Sequence, residues 1–126
     1  MKTVEDAELS AKVLALLSPD ESATFAARPA YATIRSGVNW SGALLLLTNR
    51  RMLIIKDRVF GKQRLDFAVD WAEVIRVEGS LWNGGGPKIQ LLVFNSRTRE
   101  PVELIVVPQH AAVVESAIRS GYLDTT

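Results

Sequence analysis

Two short apolar runs, Ala43 to Leu47 and Met52 to Lys56, flank the tetrapeptide Thr48-Asn49-Arg50-Arg51. Each is far shorter than the about 20 residues a membrane-spanning helix needs, and four polar residues suffice to turn an extended chain. The pair therefore reads as two strands of a tight hairpin. The chain around it has 126 residues, 48% of them apolar and 23% charged, the size and makeup of one globular domain with a core. Fifteen Lys and Arg stand against 14 Asp and Glu, a net charge of +1. That balance excludes a disordered tail and a bulk polycation that would hold nucleic acid through net charge. Cysteine is absent, which removes thiol nucleophiles, thiolate-bound zinc, iron–sulfur clusters and disulfides. One histidine, His110, removes any site that needs two imidazoles. Met1 to Glu8 is acidic with no apolar stretch, so no secretory leader is expected, and a soluble intracellular (cytoplasmic) protein is the expectation.

Periodicity places the remaining elements. Thr3 to Ser18 predicts a helix: Thr3 can cap it, Asp6 follows three residues on, and Leu9, Val13, Leu16 and Leu17 form one apolar stripe. Pro19 ends it. Ser22 to Arg35 predicts one bent edge strand, or two short ones, broken at Pro29. Ser36 to Gly42 is expected to be a turn region, and Asp57 to Lys62 another. Arg64 to Asp70 alternates strictly, with Leu65, Phe67 and Val69 expected on the buried face and Arg64, Asp66, Ala68 and Asp70 on the wet one. Trp71 to Val74 reads as a corner. Ile75 to Gly79 alternates again, with Ile75 and Val77 inward. Asn83 to Pro87 is a loop, Lys88 to Phe94 and Val102 to Val107 are strands, and polar, basic Asn95 to Pro101 joins them. Pro108 opens a last helix with Ala111, Val114 and Ile118 on its apolar stripe and Gly121 as its C-cap. Leu123 to Thr126 is expected to fray. The expected architecture is one domain over residues 1–126: an N-terminal helix (1–19), about seven antiparallel strands (22–107) forming a sandwich or partly open barrel, and a C-terminal helix (108–121) that covers it.

The order of elements, and the run Leu44-Leu45-Leu46-Leu47-Thr48-Asn49-Arg50-Arg51-Met52-Leu53-Ile54-Ile55, resemble the pleckstrin-homology-like (PH-like) superfold, in particular bacterial PH-like and GRAM-like domains. Members of that family carry an apolar strand, a T-N-x-R turn and a second apolar strand. The resemblance continues through Phe60-Gly61, the strand Leu65 to Val69, and Trp71-Ala72-Glu73-Val74-Ile75-Arg76-Val77. It covers residues 22–121, with a helix added in front. It implies a mainly β, seven-stranded antiparallel sandwich closed by a C-terminal helix, and binding of phosphoinositides or proteins as the class of function.

No catalytic constellation stands out. Asn83-Gly84-Gly85-Gly86-Pro87-Lys88 lacks the spacing of a phosphate loop, and a strand, not a helix N-terminus, follows it. His110 has no nucleophile or orienting acid assigned to it by the sequence, and it reads as a surface or capping side chain. Asp66, Asp70, Glu73 and Glu78 read as strand residues facing neighbouring cations rather than as metal ligands. The expectation is a protein that is not an enzyme, with no cofactor, no metal and no nucleic-acid partner, since no series of stacking aromatics accompanies the basic residues.

Charge is unevenly placed. Arg50 to Arg64 holds six basic residues and one acid, net +5, while residues 1–21 hold two Lys against five acids, net −3. Asp57 to Lys62 combines cations with Val59 and Phe60, a mixture that suits an anionic membrane surface. The PH-like resemblance implies that this loop clusters with the first hairpin loop and with the loop before the last strand. Those segments nominate Trp40, Lys56, Arg58 and Phe60 together with Lys62, Arg97 and Arg99 as an anionic lipid or partner surface. The family's phosphoinositide pattern of spaced basic residues across the first hairpin is absent, because Arg35 is followed by Val38-Asn39-Trp40 and then an apolar strand. Trp82, beside the Gly-rich loop, is the candidate protein interface. The sequence thus points to a non-catalytic binding or scaffold module that works by protein contact or self-assembly. Its alternative is a peripheral membrane adaptor at the inner face of the membrane.

Overall fold

The hairpin around Thr48-Asn49-Arg50-Arg51 forms as expected. Strand β5 (Leu44–Thr48) pairs antiparallel with β6 (Arg51–Asp57), Leu45 opposite Ile54 and Leu47 opposite Met52. The computed structural model describes residues 2–3, 11–28, 31–34, 38–40, 43–57, 63–81 and 88–123. Among these, the remaining elements are β1 (Lys2–Thr3), α1 (Ala11–Leu14), β2 (Ala23–Arg28), β3 (Tyr31–Ile34) and β4 (Val38–Trp40). After β6 come β7 (Gln63–Asp70), a 3-10 turn (Trp71–Glu73), β8 (Val74–Leu81), β9 (Ile89–Asn95), β10 (Val102–Val106) and α2 (Pro108–Leu123). They build two antiparallel sheets, ordered β1-β2-β5-β6-β7 and β4-β3-β10-β9-β8.

Of the two expectations for 22–35, one bent strand or two short ones, the second holds, and the two strands lie in different sheets. Beta-2 pairs with β5 in the first sheet, and β3 pairs with β4 and β10 in the second. The chain changes sheet between Arg28 and Tyr31, around the proline seen in the sequence. Its partner changes with it, because Ser36 to Gly42 is not one turn: Val38–Trp40 forms β4 against β3, and the next strand, β5, returns to β2. One bent hairpin therefore belongs to both sheets and makes a corner of the sandwich. Neither half is a bare edge, since β1 and β4 lie outside them.

The leading helix expected from Thr3 is contradicted at its start. Lys2–Thr3 pairs with Arg28 and Ala27, and the described helix is the single turn Ala11–Leu14; residues 4–10 lie outside the described residues. That turn has a definite task. Val13, with Leu16 and Leu17, packs on Leu44, Leu46, Leu53 and Ile55, while Leu45, Leu47, Met52 and Ile54 face the other way into the space between the sheets. The first sheet is thus buried on both faces. This explains why its central strands are continuously apolar where an antiparallel strand with one wet face would alternate.

The main core lies between the sheets and under α2. Leu45, Met52, Val69, Val93, Leu104 and Ile118 belong to it, each at most 1% exposed. Two bulges correct the expected alternation. Ile54 faces Phe67 but Ile55 faces Leu65, so Asp66 is an extra residue on β7. Leu65 consequently packs on the outer cluster with Ala68, and only Phe67 and Val69 reach the main core. On β8, Val74 faces Asn95 and Arg76 faces Phe94, which leaves Ile75 unpaired. Val74 and Val77 are buried while Ile75 is 59% exposed. One extra residue reverses the facing of everything before it, and no local pattern records it.

Gly121 was expected to cap α2. The helix continues to Leu123, so Gly121 is interior to it. Its role is steric: a Cβ there would stand 2.7 Å from Trp71 Cη2 and closer still to Cε2 and Cζ2. The missing side chain lets α2 lie directly on the buried indole.

Candidate functional site

The Thr48-Asn49-Arg50-Arg51 turn, source of two of the six cations in the basic segment, is turned toward the protein. Arg51 Nε donates to Glu21 Oε2 at 2.9 Å and its Nη2 to Glu21 Oε1 at 3.0 Å, with a further bond from Nη2 to the Leu16 carbonyl at 3.2 Å. The Thr48 hydroxyl donates to Glu21 Oε2 at 2.6 Å, and the Ser18 N–H donates to Oε1 at 3.0 Å. The Glu21 side chain has no exposed surface. Burial alone would raise its pKa, but the hydrogen bonds from Arg51, Thr48 and Ser18 and the charge of Arg51 outweigh that and hold it at about 2. The same carboxylate raises the Arg51 pKa further. Alongside, Arg50 Nη2 pairs with Asp20 Oδ2, the Ser22 N–H donates to Asn49 Oδ1, and Asn49 N donates to the Ser22 carbonyl. Trp71 Nε1 donates to the Thr48 carbonyl at 2.7 Å. The turn is a structural hub that fastens the leading segment to the hairpin and to Trp71. Two of its cations are neutralised by Asp20 and Glu21, which leaves Lys56, Arg58, Lys62 and Arg64 against Asp57 in the basic segment.

The nominated surface residues are dispersed among different settings. Arg58, Phe60, Lys62 and Trp82 lie outside the described residues. Trp40 is in strand β4, its backbone opposite Ala32, rather than in a loop. Lys56 is half-buried on β6, opposite Arg64. Ile34, Val38 and Val102 share one rung, so the β3–β4 and β9–β10 connections leave the second sheet at the same end, as the resemblance implies. Arg97 and Arg99 sit in the β9–β10 connection and are exposed. Arg97, however, is engaged within the fold: its Nη1 donates to the Ala68 carbonyl, and its guanidinium stands 5.7 Å from the Phe67 ring centroid. It meets β7 five residues from Gln63, about 17 Å along the strand from the β6–β7 connection. Asn95, 6% exposed, shapes this turn by accepting from the N–H groups of Arg97 and Thr98 and from the Thr98 hydroxyl.

A second surface, which the sequence reading missed, lies between β8 and α2. Among the described residues, strand β8 is the edge of its sheet. A groove of about 430 Å³ runs between its last residues and the first half of α2, walled by Gly79, Leu81, Ile89, Leu91, Ala111 and Glu115. Leu81 is 76% exposed at its mouth. On the outer face Arg76 lies 3.9 Å from the Phe94 ring centroid and bonds Glu78 at 2.8 Å, both side chains about half exposed. The sequence carried one local signal for this site, Ile75 and Leu81 on a strand rich in charge, but the bulge that turns Ile75 outward is invisible without the partner strand. Another cavity, about 400 Å³, opens beside Trp71, but the Thr24, Thr48 and Asn49 side chains around it are already hydrogen-bonded within the protein. Among the described residues no three His, Asp or Glu side chains gather as metal ligands, and no helix is long and apolar enough to cross a membrane.

No family model and no curated protein matches the chain. Solved structures do. A DUF1696 family protein with a pleckstrin-homology domain from Shewanella loihica PV-4 is 14% identical with a TM-score of 0.67, the match covering 95% of each chain. The Vps36 N-terminal PH domain is 15% identical with a TM-score of 0.67, over 86% of this chain and 84% of its own. A pleckstrin homology domain from Shewanella amazonensis SB2B is 16% identical with a TM-score of 0.65, over 94% and 89%. Two antiparallel sheets that do not close into a barrel, a C-terminal helix across them, and these three neighbours together give the chain the fold of a pleckstrin-homology domain.

Proposed function

We propose that this PH-like domain is a non-catalytic binding module that works by protein contact, through the face formed by the β8 edge and α2. The observation that carries the reading is an open sheet edge beside an apolar groove, with Ile75 and Leu81 projecting from the same strand. An unpaired edge is a template for another strand, and exposed apolar side chains next to a preformed cleft supply the area that makes such pairing selective. Trp82, nominated from the sequence, follows Leu81 directly in the chain. The PH fold of the neighbours agrees with a binding role.

The second reading is a peripheral adaptor at the inner face of the membrane, favoured by what remains of the basic segment, Lys56, Arg58 and Lys62 with Phe60, and by exposed Arg99. A photo-crosslinking side chain at Leu81, compared with one at Arg99, tests the first reading against the second. Protein adducts from position 81 and not from 99 are expected. Co-sedimentation with vesicles containing anionic lipid, lost in the Arg58→Glu, Lys62→Glu variant and accompanied by no adduct at position 81, would replace protein contact by the membrane reading.

A further inference from the structure

We infer that the partner strand at this edge is β8 of a second copy, added antiparallel about a two-fold axis at Val77, so that Arg76 of each chain lies opposite Glu78 of the other. The inference rests on the protein-contact reading and names its partner. Arg119 Nη2 donates to the Val77 carbonyl at 3.5 Å, which places that carbonyl on the open side of β8. Outward and inward groups alternate along an antiparallel strand, so Gly79 and Leu81 turn their backbone groups outward as well. A symmetric pairing must set outward residues opposite outward residues. That condition puts the two-fold axis on a residue and not between two, and the residues at the middle of the strand are Val77, Glu78 and Gly79. An axis at Glu78 sets two carboxylates face to face, and one at Gly79 sets Glu78 opposite Ser80. Only the axis at Val77 pairs opposite charges, and symmetry repeats the pair.

The same register sets Ile75 opposite Gly79. Ile75 is the bulged, 59% exposed residue of the strand and turns outward, whereas a Cβ at Gly79 would point inward and stand 3.3 Å from Leu91, so this pair adds backbone but no side-chain contact. Stacking of Arg76 on Phe94 already holds one charge beside the edge. What opposes association is Arg119, which covers the Val77 carbonyl while pairing with Glu115 at 3.5 Å. Charged side chains laid over an edge are a common guard against strand addition. A single pair of eight-residue strands also buries less than the about 1,600 Å² of a standard interface. The dimer is therefore weak and rises with concentration.

Sedimentation equilibrium of the full chain over a wide concentration range tests this, with a thermal melt of each variant to establish folding. Glu78→Arg is expected to weaken dimerisation roughly tenfold, and Arg76→Glu, Glu78→Arg to restore it, because the swapped charges meet again only in this register. Arg119→Ala is expected to strengthen it by uncovering the edge. The last change is a gain that misfolding does not imitate. A chain that stays monomeric in both wild type and Arg119→Ala overturns the inference, as does a dimer indifferent to Glu78→Arg or unrepaired by the double exchange. A monomer that still gives position-81 adducts with a different protein removes the second copy and leaves the protein-contact reading standing; a monomer without such adducts removes both.

Discussion

Replacing Glu21 by Gln tests whether the buried ion pair at the hairpin turn holds the leading segment onto the domain. The amide keeps the shape of the side chain and removes its charge, so one of its NH₂ donors is brought against the donors of Arg51. The structure supplies the magnitude. A carboxyl moved from 4.5 to about 2 contributes about 3 kcal/mol of stability at neutral pH, at about 1.4 kcal/mol per pH unit. Removing one partner of a buried pair costs about 3–5 kcal/mol by an independent route, so the two agree. Because the folded carboxylate lies below its unfolded value, its contribution is complete above about pH 4.5 and disappears as pH falls toward 2. Urea unfolding followed by tryptophan fluorescence, at pH 7 and at steps down to pH 3, should show Glu21→Gln about 3 kcal/mol less stable at pH 7. The difference from wild type should shrink as the pH drops, since the wild-type carboxyl then becomes protonated too. A variant within about 0.5 kcal/mol of wild type at pH 7, the range of an ordinary surface substitution, would refute the argument. So would a difference that stays constant with pH, because it would assign the effect to shape and not to charge.

Three further outcomes follow from the packing. Gly121→Ala adds a good helix former to a helix interior yet should destabilise by about 1–3 kcal/mol in a thermal melt, because the new methyl meets the Trp71 ring; a stabilised variant would show that the ring yields. Asn95→Ala removes the acceptor shared by Arg97 and Thr98 and should lower stability by about 1–3 kcal/mol, with faster amide exchange at Arg97 and Thr98 as its local signature. Deleting residues 1–17 uncovers Leu44, Leu46, Leu53 and Ile55 and should produce a chain that binds a hydrophobic dye and aggregates on size-exclusion chromatography; a monomeric, dye-silent product would refute the role given to Val13, Leu16 and Leu17.

How much of the molecule could be read in advance depends on how local each cause is. The β5–β6 hairpin was legible because its two runs and its turn are contiguous and mutually sufficient. The last helix was legible because Pro108 and the stripe Ala111, Val114 and Ile118 lie within three turns of one another. The continuous apolar character of Leu44 to Leu47 already implied burial on both faces, but not the identity of the cover, which comes from Val13 about 30 residues earlier. The cations of the basic segment and of the candidate surface were visible in the sequence, and their availability was not. Arg50 and Arg51 are neutralised by Asp20 and Glu21, and Arg97 is held at Ala68. The β8–α2 groove left no motif, since its walls come from three segments that meet only when the second sheet and α2 have assembled.

The sequence by itself determined the class of the fold, the β5–β6 hairpin and the closing helix, but not the strand β1 at the start of the chain or the strand β4 inside the expected turn. It also determined the removal of thiol and paired-imidazole chemistry, because periodicity, turn residues and composition are properties of the chain alone. The tertiary structure decided which face each strand presents, which sheet each half of the bent hairpin joins, why Gly121 must be glycine, and which charges remain for a partner. Those outcomes depend on single inserted residues and on contacts between distant segments. A bulge at Asp66 or Ile75, an indole against a helix, and a carboxylate 30 residues from its arginine exist only once both partners are in place.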